Sequence, residues 1–269
     1  MTQTAGPGGQ QTTGFKPAVL ITGGARRIGA AIATALAGDG WVVALHFNGS
    51  RDEAEALAAS LNRERRICFP IQADLSQRAG IESLVARTNE LLRTEAAAKL
   101  SCLVNNASVF IYDDPAKLEW ELWEKHIIPG LYAPIFLAKH FADTVGVEES
   151  GLIINMLDQK LYSLNPDFFS YTIGKFGLLG ATKTLAMAFA PRIRVCGIAP
   201  GITMPSAKQN AEQFEKAWRK SPLGLNATPD DIVRAVRFII DTPCMTGNVI
   251  VLDGGESLMQ RGRDVAFEP

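Results

Sequence analysis

Tyr171 and Lys175 stand four residues apart in the stretch YTIGK, and Asp158 precedes the tyrosine by thirteen positions. On a helix, positions i and i+4 share a face, so the Lys175 ammonium can lie beneath the Tyr171 ring. A cation about 4 Å from a phenolate, at an effective dielectric of about 20, favours the ionised form by at most about 4 kcal/mol. Against an unperturbed phenol pKa of about 10, that brings proton transfer toward neutral pH. The spacing therefore predicts a general acid with an electrostatic partner. Asp158, when ionised, accepts hydrogen bonds and donates none. It suits a molecule that presents N–H groups, unless it is a strand-end residue facing solvent.

These side chains need a frame. Short runs rich in Val, Ile and Leu recur at 17 to 23, 41 to 47, 66 to 75, 100 to 106, 151 to 157, 193 to 201 and 248 to 255. Continuous apolarity, rather than alternation, marks strands covered on both faces, hence a parallel sheet. Helical stretches lie between them: Arg27 to Asp39, Asp52 to Glu64, Gly80 to Thr94, Glu119 to Val145 in broken form, Tyr171 to Ala190, and Asp230 to Ile240. The stretch TPDD at 228 to 231 supplies the last of these with a capping Thr, a proline at the first position and acids against the helix dipole. Alternating strand and helix predicts an α/β fold: a single Rossmann-type, doubly wound parallel sheet of about seven strands, with its ligand crevice beyond the carboxyl ends of the strands.

After the first strand comes TGGARRIG, Thr22 to Gly29. A glycine-bearing turn that opens a helix offers unpaired N–H groups and a positive dipole to a pyrophosphate. A carboxylate near the end of the second strand would favour NAD; here the chain reads LHFNGSR, without an acid. Arg27, His46, Asn48, Ser50 and Arg51 could donate to a 2′-phosphate, which makes NADPH the expected cofactor. Arg26 and Arg51 could equally be solvated surface charges. Asp74 could accept from an adenine amino group or cap the helix that follows.

Composition limits the partners. The chain has 269 residues, is 47% hydrophobic and carries a net charge of −1, so no strong field recommends it to nucleic acid or to an acidic membrane surface. A small-molecule ligand is expected, with no membrane span. Cys68, Cys102, Cys196 and Cys244 have no metal-ligand spacing and read as reduced thiols in a cytoplasmic protein, so no metal is expected. The opening residues 1 to 16 read as a disordered tail. His126 and His140 read as packing residues, and Trp120 and Trp123 as a packed or subunit-facing stripe.

With TGGARRIG, NNAS (105 to 108), YTIGK, APG (199 to 201) and TGNVIVLDGG (246 to 255) in order, the chain resembles the short-chain dehydrogenase/reductase family over about residues 17 to 256. The resemblance implies hydride transfer from NAD(P)H in a single domain, as a homotetramer or homodimer. It places Gly23, Ile28, Gly29, Phe47, Leu75, Asn106, Ala107 and Ser108 along the cofactor, and Pro200, Gly201 and Ile202 near the nicotinamide. The family commonly has a serine at position 158, donating to a carbonyl oxygen, a task an ionised Asp cannot perform. Asp there is similar to the pteridine reductases and the bacterial dihydromonapterin and dihydrofolate reductases. By that likeness Phe110 stacks on a pterin, unless it is plain core, and Arg27 and Ser108 reach both the cofactor phosphates and the pterin edge. The expected activity is NADPH-dependent reduction of a pterin or dihydrofolate-like ring by Tyr171, Lys175 and Asp158. A carbonyl reductase, or a nucleotide binder with little turnover, are the alternatives.

One position departs from the family. Gly130, behind Pro129, stands where an Asn commonly supports a proton relay, and Pro-Gly is expected to break the helix. Residues 203 to 225 are expected to form a lid over the crevice. Residues 257 to 269 read as a C-terminal tail. Apolar patches around Trp123 and Leu178 suit a subunit interface.

Overall fold

The structure, a computed structural model, describes residues 15–205 and 211–267. The expected tail at 1 to 16 lies outside the described residues up to residue 14, as do residues 206–210 of the expected lid.

Seven strands form one all-parallel sheet: β1 (Lys16–Ile21), β2 (Val42–Phe47), β3 (Cys68–Gln72), β4 (Ala98–Asn105), β5 (Gly151–Met156), β6 (Ile193–Pro200) and β7 (Val249–Leu252). Their order across the sheet is β3-β2-β1-β4-β5-β6-β7. The chain thus winds outward from β1 in one direction, then returns and winds outward from β4 in the other. That reversal opens a crevice beyond the carboxyl ends of β1 and β4. The sequence was apolar without alternation because both faces are covered: every residue of β2 and β5 is buried.

The helices are α1 (Arg27–Gly38), α2 (Arg51–Leu61), α3 (Arg78–Ala96), α4 (Trp120–Ile127), α5 (Ala133–Thr144), α6 (Phe169–Phe189), α7 (Ala211–Trp218) and α8 (Pro229–Asp241). One core layer packs α1, α2 and α8 under the sheet around Ile32, Leu36, Leu45 and Ile239; the other packs α3 and α5 around Phe69, Leu84, Leu137 and Phe141. At the start of α8, the Thr228 hydroxyl accepts from the Asp231 N–H at 3.2 Å, and the Asp231 carboxylate accepts from the Thr228 N–H at 2.8 Å. The capping Thr expected from TPDD is thus present, and Asp231 makes the cap reciprocal.

The expected local break at Pro129-Gly130 is present, since the α-helix is split there into α4 and α5. Residues Ile128–Tyr132 make one wide π-type turn that joins α4 to α5. The wider turn accommodates a proline that lacks an N–H without ending the helical path. Leu178 is corrected as a subunit-facing residue, since it is 1% exposed and packs with Leu157 and Leu161. Cys68, Cys102 and Cys196 are buried in strands, and Cys244 is exposed. Burial pushes the Cys68 and Cys102 thiols up to about 12. No helix among the described residues is long and apolar enough to cross a membrane.

Candidate active site

The crevice at the sheet's switch point measures about 820 Å³ and is lined by every position singled out above for cofactor, substrate or catalysis except Arg51. Its floor is the turn from β1 to α1. Thr22 Oγ1 accepts from the N–H groups of Asn106 at 2.9 Å and Ala107 at 3.0 Å, and Asn106 Nδ2 donates back to the Thr22 carbonyl at 2.9 Å. The ends of β1 and β4 are thereby tied together. A Cβ on Gly29 would meet the Gly23 carbonyl oxygen at 2.4 Å, so the turn needs glycine where α1 begins. Arg27 adopts a left-handed φ of 56° and crosses the crevice mouth, donating to the Pro205 carbonyl at 2.6 Å and the Met204 carbonyl at 3.4 Å. It links the first turn to the segment after β6.

His46 is corrected as a phosphate donor. It is 2% exposed, its Nδ1 accepts from the Gly23 N–H at 3.0 Å, and its Nε2 donates to the Ala73 carbonyl at 3.1 Å. Burial lowers its pKa to about 4, which leaves it neutral at pH 7. It pins the turn to β2 and β3. Asp74 takes both the Ser76 N–H and Ser76 hydroxyl on Oδ1 and also the Asn48 amide at 3.2 Å, forming a local turn before α3. Arg26 and Arg51 are exposed and pair with Glu53 and Glu55, both at 3.3 Å. Ser50 and Asn48 sit with Arg26 at the crevice edge, and no acid stands between Phe47 and Arg51. These residues fit a phosphorylated dinucleotide lying along the floor.

At the inner end, the Tyr171 hydroxyl donates to Asp158 Oδ2 at 2.6 Å. Asp158 follows β5 and also accepts from the Lys160 N–H at 2.8 Å. The expected lowering of the phenol's pKa is corrected. Lys175 Nζ lies 5.4 Å from the Tyr171 ring centroid and donates to the Met156 carbonyl at 2.5 Å. Burial, the Asp158 charge and the bond to Asp158 together push the phenol well above its ordinary value. Burial raises the Asp158 carboxyl, opposed by the Tyr171 hydroxyl, and lowers Lys175 to about 8. The phenol therefore carries its proton at neutral pH, as an acid must.

Phe110 lies over this pair, edge-on to Tyr171 at 4.8 Å, and stacks on Phe168 at 4.0 Å with an interplanar angle of 13°. It is 47% exposed and is not core. Phe168 holds a left-handed φ of 55° immediately before α6. Its N–H donates to the Asp113 carbonyl at 2.9 Å, while the buried Asp113 carboxylate accepts from the Ser170 N–H at 3.2 Å and from the Ser170 hydroxyl. His126, expected only to pack, accepts the Ile111 N–H on Nε2 at 3.2 Å and donates from Nδ1 to the Leu122 carbonyl at 2.9 Å. It holds the loop that carries Phe110.

The sequence reading missed a second layer. Lys160 is 3% exposed and donates to Asp264 at 2.8 Å and to Asn165 at 2.8 Å. Arg263 and the Asp264 N–H both donate to the buried Asp167 carboxylate, at 2.8 and 2.7 Å. Residues 257–267, read as a tail, thus fold over the loop between Asp158 and Tyr171. Glu256, Asp264 and Val265 line the crevice. No signal along the chain marks contacts between residues about 100 positions apart.

A model of the Enoyl-(Acyl carrier protein) reductase family matches residues 23–257. The chain belongs to the short-chain dehydrogenase/reductase family. Among curated members, Pteridine reductase 1 of Leishmania tarentolae is 30% identical, covering 92% of this chain and 98% of that protein. A 3-oxoacyl-[acyl-carrier-protein] reductase of Synechocystis is 27% identical over 88% of this chain and 95% of its own. Two solved structures of FolM alternative dihydrofolate reductase 1 with NADP are similar. The Brucella canis protein is 40% identical with a TM-score of 0.83, covering 91% of this chain and 95% of that one. The Brucella suis protein is 41% identical with a TM-score of 0.85, covering 91% and 96%.

Proposed function

We propose that this short-chain reductase uses NADPH to reduce a C=N bond of a pterin or dihydrofolate-like ring. The observation that carries the reading is the Tyr171 hydroxyl donating to the Asp158 carboxylate at 2.6 Å beneath an exposed Phe110. A carboxylate there accepts from ring N–H groups, whereas a carbonyl substrate offers it nothing to accept. The flat face of Phe110 suits an aromatic ring, with stacking worth about 0.5 to 1.5 kcal/mol beyond area burial. The relatives that reduce pteridines and dihydrofolate, and the NADP in the FolM structures, support the same reading.

NADPH supplies the hydride. Arg27, Asn48 and Ser50 stand where they can hold its phosphates, and Asn106 and Thr22 fix the floor on which it rests. Tyr171 and Asp158 hold one proton between two oxygens, ready for a ring nitrogen as the neighbouring carbon is reduced. Lys175 keeps a positive charge near the pair while it orients through Met156.

NADPH oxidation measured across dihydrobiopterin, dihydromonapterin, dihydrofolate, a simple ketone and an acyl thioester tests the reading. Turnover is expected with the pterins. Asp158→Ser is expected to lower it by roughly 10² to 10⁴. Quick oxidation with the ketone or thioester and none with pterins would overturn it in favour of a carbonyl reductase similar to the 3-oxoacyl-[acyl-carrier-protein] reductase of Synechocystis. Binding of NADPH with no turnover anywhere would leave a nucleotide binder. We also propose a homotetramer or homodimer, supported by the exposed aromatic rings of Trp120, Tyr132 and Phe136 on α4, α5 and the turn between them, with light scattering to read the mass, and a cytoplasmic location, supported by the four free cysteines.

A further inference from the structure

We propose that Glu256 is the proton reservoir that reprotonates the Asp158–Tyr171 pair after each turnover. The inference rests on the reductase reading above. Each turnover transfers a hydride, two electrons and one proton, to a ring carbon and one further proton to the adjacent nitrogen. The oxygen pair at Tyr171 and Asp158 is then one proton short. The Asn that the family commonly has at position 130 would support the resupply. Here Gly130 has no side chain.

Glu256 stands at the same end of the crevice. It is 3% exposed and lines the cavity together with Asp158, Lys160, Tyr171 and Asp264. It opens the short helical turn Glu256–Leu258, which packs on the turn Gln159–Leu161 whose cap is Asp158 itself. The charged groups around it are Asp158 beyond β5, Asp264 and Arg261 from the C-terminal segment, and Lys160 among the cavity's lining. Asn226, from the approach to α8, donates to Oε2 at 2.7 Å. Burial first, then the nearby Asp264 and Asp158 charges, raise its carboxyl to about 7, against the Asn226 bond and Arg261. A carboxylic acid poised there can give its proton to the Asp158 carboxylate and take another from water, with no change of oxidation state.

The bond to Asn226 needs only an acceptor oxygen, which glutamine supplies as well as glutamate. Glu256→Gln therefore keeps the shape and the hydrogen bond and removes the exchangeable proton. The experiment is kcat of the full-length enzyme with NADPH from about pH 5.5 to about pH 9, on whichever ring or carbonyl the wild type reduces. Wild-type kcat is expected to fall as pH rises through the Glu256 ionisation. In Glu256→Gln, kcat at about pH 6 is expected to drop roughly 10-fold to 100-fold and lose that limb, with KM for NADPH unchanged and partial rescue by added formate or acetate. Glu256→Asp retains the limb at lower kcat, and decides the matter if the Gln variant no longer binds NADPH. A Gln variant whose kcat and pH profile superimpose on the wild type, or an Asp variant without the limb, overturns the proposal. Wild-type failure on pterins removes the substrate reading instead, and leaves the pH comparison to be made on the carbonyl that is reduced.

Discussion

Replacing Lys160 by methionine tests whether the C-terminal segment is a working wall of the active site. The Lys160 and Asp264 side chains are 4% and 14% exposed and 2.8 Å apart. At an effective dielectric of about 20, that separation gives an attraction of about 6 kcal/mol, offset by several kcal/mol of desolvation for each ion. Removing one member of such a pair costs about 3 to 5 kcal/mol, because the other is left buried and uncompensated. Asp264 can escape that cost by swinging into water, and the cost then appears as local opening rather than global unfolding. At about 3 kcal/mol the opening becomes roughly 100-fold more frequent. Hydrogen exchange reads it at the Asp264 amide, bonded to Asp167 at 2.7 Å, and at the Met259 amide, bonded to the Glu256 carbonyl at 3.0 Å. Both should exchange faster in Lys160→Met, while amides of β4 stay protected. KM for the ring substrate should rise with NADPH affinity unchanged, because Asp264 and Val265 face the substrate end. Wild-type exchange at both amides would show that the pair does not hold the segment down, and the reasoning would fail.

Two further outcomes follow from buried polar groups. His46 is neutral in the fold with a pKa of about 4, below its unfolded value of 6.5. The unfolded chain binds the extra proton between those values, so stability is expected to fall by about 3 kcal/mol as pH drops through that window, and His46→Gln should flatten a urea-denaturation series across it. Asp113→Ala strips the carboxylate that accepts from Ser170 at the first turn of α6, and should cost about 1 to 2 kcal/mol of stability, read as a lower melting temperature. It should also raise KM for the ring, because Phe168 precedes that turn.

Much of the frame was legible because each element carries its own signal. The runs at 151 to 157 and 193 to 201 end one residue beyond β5 and β6, since parallel strands covered on both faces need uninterrupted apolar residues. Thr228, Pro229 and the two acids after it marked the start of α8 because capping residues are local signals. Asp158 and Tyr171 were legible as a pair because a strand end and the first turn of the next helix converge in this fold. His46 misled because a neutral, doubly bonded imidazole and a solvent-facing donor look identical at the end of an apolar strand. Lys160 gave no signal at all. A lysine in a loop is ordinarily solvated, and only the return of residues 257–267 buries it. Glu256 belongs with it, since its burial depends on Asn226 and on the turn after β5.

The Asp158 carboxylate also changes what the neighbouring lysine can do. With Lys175 alone, an ammonium 5.4 Å from the ring would favour phenolate by about 3 kcal/mol at an effective dielectric of about 20. A carboxylate 2.6 Å from the hydroxyl favours the protonated phenol by about 6 kcal/mol on the same scale. Burial contributes most and the nearer Asp158 charge adds to it, so Tyr171 keeps its proton through neutral pH. A phenol held protonated cannot take a proton from an alcohol at neutral pH, and its proton is in place for a ring nitrogen although the raised pKa makes it a weaker acid than a free phenol. The arrangement therefore suits the reductive direction, and the carboxylate proposed to accept from ring N–H groups keeps the tyrosine from working as it would beside a serine.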